Sequence, residues 1–254
     1  MAPLPQLQVL YEDNHLLAVL KPAMLPTMGV PEGGPSLLTM AQTYIRRKYH
    51  KAGAVYLGIV SRLDAPVTGV VLIARTSKAA ARLTAAFASR EVEKQYWAVV
   101  EGDVEPPEGT CEDWLRKDER HRCVHITNRD AKGAQLARLS YRRVKFLAGT
   151  TLLEVELETG RKHQIRVQLS SRGFPILGDA KYGARRSFAT GIALHSRRLA
   201  IVHPVRGTRL EIVAPLPPSW RTLGIADHQA PTEAATLPQT AGQRQPNDHS
   251  KRSL

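Results

Sequence analysis

Ile59 to Arg75 reads I-V-S-R-L-D-A-P-V-T-G-V-V-L-I-A-R. Val70-Val71-Leu72-Ile73-Ala74 is an unbroken apolar run, the pattern of a strand buried on both faces. Pro66 and Gly69 mark a chain reversal ahead of it. Ser61, Arg62 and Asp64 are then the polar residues of a short turn held by buried strands, and loops anchored this way carry a disproportionate share of binding and catalytic groups. From this segment alone the simpler reading is that Arg62 and Asp64 pair with each other or with neighbours and cap a hairpin. The rest of the chain shifts that balance.

The chain has 254 residues, enough to bury a good core as one domain or as two lobes on one sheet. No apolar run approaches the roughly 20 residues that span a bilayer. The start, Met-Ala-Pro-Leu-Pro-Gln, has neither a basic segment leading into an apolar one nor the arginines of a transit peptide. A cytoplasmic protein is expected. Cys111 and Cys123 are the only cysteines, which fits a reducing compartment. Cys111, His121, Cys123 and His125 invite a zinc reading, but C-x-H lacks the two-residue gap of usual ligand pairs, so ordinary strand residues and no metal are expected. Net charge is +13, whereas the segment from Ile225 to Leu254 balances Asp227, Glu233 and Asp248 against Arg244, Lys251 and Arg252. The cationic excess therefore lies in the folded part and suggests a polyanionic partner. A solvated charged face is the plainer explanation.

Along the chain, 7–11 and 16–20 read as short strands joined at the turn-prone Glu12-Asp13-Asn14-His15. Lys21, at the strand end, is expected to be solvated, with a phosphate contact as the other option. Met24 to Pro35 is a Pro- and Gly-rich loop. Ser36 caps a helix to about His50, whose basic end, Arg46 to Lys51, suits the helix dipole and could also meet phosphates. Ser77 opens a second helix to about Arg90, and 94–101 is a strand. Residues 110–127 form a polar hairpin with a charged tip, Arg116 to Arg122. Strands follow at 134–146, 151–157, 194–203 and 208–214. Between them, Ile165, Val167 and Leu169 fit a strand, and a Thr159 cap with Gly173 as terminator fits a short helix equally well. The folded domain is expected over 1–223. Residues 224–254, polar and nearly free of large apolar groups, are expected to be disordered.

Three segments together resemble the RluA-type family of RNA pseudouridine synthases. Val19-Leu20-Lys21-Pro22 is similar to its first segment. Ser61-Arg62-Leu63-Asp64 with Val67-Thr68-Gly69 is similar to its catalytic segment, usually H-R-L-D-x-x-T-S-G. Leu157 to Leu169 and Gly173 to Gly183 are similar to L-x-T-G-R-x-H-Q-I-R-V-x-L followed by G-x-P-I-x-G-D-x-x-Y-G, and Leu194-His195 and His203-Pro204 match the closing pattern. The resemblance covers about Leu7 to Pro217. Ser61 stands where the family usually has His, and Ala65-Pro66-Val67-Thr68 departs from its pattern too. These changes are expected to tune loop packing or RNA choice. An N-terminal S4-like domain is not expected, so RNA recognition falls to the catalytic domain.

The resemblance implies an α/β (α+β type) fold, with a mixed, largely antiparallel central sheet split into two halves around a basic cleft. It implies isomerisation of specific uridines in structured RNA, rRNA or tRNA. That isomerisation has no net redox change, so no cofactor and no metal are expected, and a monomer without an obligate protein partner is expected too. Asp64 is implied as the catalytic carboxylate, either attacking C1′ or removing the C2′ proton. Arg166 is implied as its ionic partner, fitted by a permanent charge and bidentate geometry. Tyr96 is implied as the platform on which the base stacks, and Arg62 as the wedge that fills the place of a flipped uridine. Two other readings stand beside it. One is an RNA-binding protein that keeps the fold without turnover, motivated by 65–68. The other is a hydrolase using Asp64 as an acid and releasing uracil.

Overall fold

The computed structural model describes residues 6–31 and 34–227. Two residues of the expected 24–35 loop, and the expected tail from 228 onward, lie outside the described residues.

The chain builds one mixed sheet. β1 (Gln8–Glu12), β2 (Leu16–Lys21) and β4 (Thr68–Ala74) form one flank. β5 (Glu93–Glu101), β9 (Thr150–Leu157), β8 (Gln135–Leu147), β6 (Glu108–Asp118) and β7 (Cys123–Thr127) form the other. β10 (Leu194–Val202) joins them, giving the order β1-β2-β4-β10-β5-β9-β8-β6-β7. Short β3 (Gly58–Ile59) pairs with β4, and β11 (Arg209–Val213) pairs with β10. Every pairing is antiparallel except β4 with β10, which is parallel and carries only His195↔Thr68 and Ser196↔Gly69. The expected mixed, largely antiparallel sheet is present, and its two flanks meet at this two-residue seam.

β4 is buried along its whole length, as its apolar run predicts. Gly69, expected to mark the reversal, instead lies inside β4 with φ +120, where a Cβ would sit 2.3 Å from the carbonyl oxygen of Ser196. Glycine is there because the two backbones at the seam leave no room for a side chain. The reversal falls at Asp64–Val67, closed by the Val67 N–H donating to the Asp64 carbonyl at 3.0 Å.

Two helices cover the β1-β2-β4 flank. α1 (Leu37–Lys48) starts at Ser36, whose hydroxyl accepts from the Thr39 N–H while the Thr39 side chain accepts from the Ser36 N–H. That reciprocal cap satisfies two otherwise orphan donors. α1 turns Leu37, Met40, Ala41 and Ile45 into the core. Its Lys48 pairs with Glu12 at 2.6 Å, so part of the basic helix end braces β1. α2 (Ser77–Ala88) is capped by Thr76, one residue before the expected Ser77.

The undecided 164–170 stretch is a helix, α3 (Gln164–Ser170). Thr159 does not cap it; its hydroxyl donates to Gln164 Oε1 at 2.8 Å, and His163, with φ 54, takes the cap position. Order also extends past the expected domain end at 223: Ile225 is buried and Asp227 pairs with Arg197 at 2.8 Å. The tail is neutral in charge, but its first residues are part of the fold. No helix among the described residues is long and apolar enough to cross a membrane.

Candidate active site

The β3–β4 loop hangs beside the seam, where β4 and β10 part. Four tethers hold it. The Thr27 hydroxyl donates to the Leu63 carbonyl at 2.9 Å and accepts from the Leu63 N–H at 3.2 Å. The Ile192 N–H donates to the Pro66 carbonyl at 3.3 Å. Ser61 Oγ accepts from the Leu72 N–H at 2.9 Å, extending the β3–β4 pairing by one side chain.

The fourth tether corrects an expectation. Lys21 is fully buried, not solvated. Its ammonium donates to the carbonyls of Pro22 and Leu25 at 2.8 Å each and of Ala65 at 2.9 Å. All three of its protons are used, and one of them holds the residue next to Asp64. Burial pushes its pKa down to about 7, against the pull of the Asp64 charge.

Asp64 does not pair with Arg62. Its Oδ2 accepts from Arg166 Nη1 at 2.9 Å. Arg166, buried in α3, spends the rest of its fork on a residue the sequence did not single out: Nε donates to Asp179 Oδ2 at 2.7 Å and Nη2 to Asp179 Oδ1 at 2.8 Å. A guanidinium fits this bidentate grip and has one nitrogen left for a second carboxylate. The Tyr182 ring lies 4.9 Å from the guanidinium carbon and closes its remaining face. Asp179 and Tyr182 both belong to the Gly173–Gly183 segment, so that segment holds Arg166 in place.

His163 is the other residue missed. Its Nε2 lies 3.7 Å from Asp64 Oδ2, and its Nδ1 is 2.7 Å from the Tyr182 hydroxyl. Burial drives its pKa down to about 4, so the ring is neutral at pH 7. The Tyr182 oxygen accepts from the Val124 N–H at 2.9 Å, and its own proton goes to Nδ1. The remaining ring proton is then on Nε2, facing Asp64. Desolvation raises Tyr182 to about 12, which keeps it a donor.

Asp64 keeps a quarter of its side-chain surface open to a cleft of about 830 Å³. Tyr96, on β5, stands across that cleft, half-buried, with its pKa pushed up to about 12 by desolvation. Arg62 lines the same cleft and is exposed. The structure thus brings Asp64, Arg166, Tyr96 and Arg62 to one cavity. Its walls add Arg90, Lys94, Lys117, Arg161 and Lys162 against Glu119 and Glu158, a cationic excess suited to a phosphate backbone. The basic end of α1 is not among the lining residues. Cys111, one of the four residues weighed for zinc, is buried well down β6, away from the other three.

The pattern of the RNA pseudouridylate synthase family matches residues 15–171, more than half of the chain. The chain belongs to the RNA pseudouridine synthases. It is an isomerase of RNA uridines, and RNA is its partner. Among curated relatives, a ribosomal large subunit pseudouridine synthase D of Xanthomonas campestris is 34% identical over 248 residues, covering 91% of this chain and 72% of that protein. The dual-specificity RNA pseudouridine synthase RluA of Escherichia coli is 34% identical over 219 residues, covering 83% and 94%. These relatives place the synthase in the RluA-type branch. In fold it is similar to human RNA pseudouridylate synthase domain containing 4, with a TM-score of 0.71 over 85% of this chain and 93% of that one, at 24% identity.

Proposed function

We propose that Asp64 carries the isomerisation, and that the substrates are uridines in structured rRNA or tRNA. The observation that supports this most directly is the tethered Asp64 loop, which sets one carboxylate against a fixed guanidinium inside a cationic cleft. Pseudouridine formation breaks the N1–C1′ bond, turns the uracil and rejoins it through C5. A carboxylate beside the sugar serves either opening step, attack at C1′ or removal of the C2′ proton. Arg166 holds that carboxylate in place with a permanent charge, through a charge-assisted hydrogen bond at 2.9 Å.

A uridine within a helix must leave the stack, at a cost of a few kcal/mol. Arg62, exposed on the Asp64 loop, fills the vacated place with a flat guanidinium. Tyr96 receives the base on its ring face. After the base turns, a proton leaves C5. The cleft draws every one of these groups from one chain, and we propose a cytoplasmic monomer. The relative named for the ribosomal large subunit motivates rRNA as the first substrate to try.

The test is tritium release from C5-labelled uridine in RNA that lacks the modification. Release by the wild type and none by Asp64→Ala is the expected result. Release of free uracil, or turnover that survives Asp64→Ala, overturns the assignment. RNA binding without release from either protein would favour a fold kept for binding alone.

A further inference from the structure

We infer that the tip of the β6–β7 hairpin is a zinc site, with Asp118, Cys123 and His125 as its ligands. The antiparallel register sets Asp118 opposite Cys123 and Arg116 opposite His125. Residues two apart on a strand share a face. Cys123 and His125 therefore stand on one face, with Asp118 beside them, while Val124 between them turns into the core. On a strand, C-x-H is the spacing that brings two ligands together. The familiar two-residue gap belongs to turns, which explains why counting spacings alone discards this pair.

The distances agree with this reading. One ligand atom from each of the three residues lies within 4.8 Å of the others. Cys123 Sγ is 3.1 Å from His125 Nε2, and that nitrogen is 3.8 Å from Asp118 Oδ2. Bond lengths of about 2.0–2.3 Å to a tetrahedral zinc place ligand atoms roughly 3.3–3.6 Å apart, between the two observed values. His121 steadies the carboxylate: its Nδ1 is 2.8 Å from Asp118 Oδ2, and its backbone N–H donates to Asp118 Oδ1 at 2.9 Å. That is the outer-shell partnership metal sites require. Arg116, Lys117, Arg120 and Arg122 crowd the tip with positive charge. A soft thiolate with imidazole selects zinc over magnesium or calcium. The fourth position is left to water. Lys117 and Glu119, at the same tip, line the catalytic cleft, so the ion would fix the cleft's outer wall.

The experiment is titration of the full chain, stripped with chelator, with cobalt(II), followed by displacement with zinc(II). One equivalent of cobalt should produce thiolate-to-cobalt charge-transfer absorption that zinc abolishes. Cys123→Ser should remove the band, and Cys111→Ser should leave it. His121→Ala should weaken zinc by about 10- to 100-fold, and His125→Ala by at least as much; both side chains are exposed, so the fold is not at stake. No charge-transfer band at equimolar cobalt overturns the inference. So does a band that survives Cys123→Ser, or one that Cys111→Ser removes.

Discussion

Asp179→Asn isolates what aims the proposed Asp64–Arg166 pair, because Asp179 lies behind Arg166 and not among the residues lining the cleft. Its two oxygens accept from Nε at 2.7 Å and from Nη2 at 2.8 Å. Asparagine keeps one acceptor and turns an N–H toward an N–H. One hydrogen bond to a charged group is lost, about 1.5–3 kcal/mol. A domain of this size loses about 2–4 °C in Tm per kcal/mol, so the midpoint should fall by about 3–12 °C. The effect on turnover has a different origin. Arg166 Nη1 sits 2.9 Å from Asp64 Oδ2 while Asp179 holds its other two nitrogens, and a displacement of about 1 Å in a reacting group can cost about 100-fold. Tritium release should show kcat lowered by about 10- to 100-fold with KM little changed, since no RNA-facing cation is removed. The double variant Asp179→Asn/Arg166→Lys should be scarcely slower than Arg166→Lys alone, because both act through one contact. A variant that loses stability as expected but turns over within about twofold of the wild type refutes the aiming role, and Asp179 is then a structural counter-ion only.

Three further outcomes are expected. Lys21 has a pKa of about 7 when folded against a usual 10.5, so above pH 7 the unfolded chain binds the extra proton and stability rises with pH. In urea unfolding the stability of the wild type relative to Lys21→Met should therefore rise from pH 7 to pH 9, by about 1.4 kcal/mol per pH unit at most; an unchanged difference sinks this account. Tyr96→Leu should lower kcat/KM by about 5- to 150-fold, the worth of one base–aromatic stack of about 1–3 kcal/mol, and Tyr96→Phe should retain most of it. Equal losses in both variants would count against the ring as a platform. Gly69→Ala should cost at least about 2 kcal/mol, seen as a lower thermal midpoint, because its Cβ would lie 2.3 Å from a backbone oxygen. An unchanged midpoint would mean that the seam can open without loss.

What the sequence disclosed follows from how local each signal is. The β4 run, the α1 cap and the 110–127 hairpin are written in neighbouring residues, and all three stand in the structure. The family pattern pointed to Asp64, Arg166, Tyr96 and Arg62, which share one cleft. Lys21 was missed because a lysine at a strand end normally reaches water, and its burial depends on carbonyls at 22, 25 and 65 that no local pattern connects. The signal available was the Lys-Pro pair itself. Asp179 and Tyr182 sat in a quoted motif without a role, since their function appears only once α3 folds back over them. α3 was ambiguous for a physical reason: Gln164 to Leu169 are all buried, which erases the polar face by which a seven-residue helix would show its period. Gly69 looked like a turn residue because glycine signals a tight bend and a close backbone approach with the same letter.

The β4–β10 seam also bears on how the protein is made. Thr68 and Gly69 pair with residues 195 and 196, far along the chain, and Asp179 and Ile192 come nearly as late. Strand partners this distant in sequence form late, because the intervening loop must first lose its freedom. A chain emerging from the ribosome carries basic residues early, but the clamp on Asp64 waits for Asp179 and Ile192, and the seam beside it for residues 195 and 196. Nascent chains, and fragments cut before β10, should therefore be cationic yet lack the seam beside which the Asp64 loop is seated.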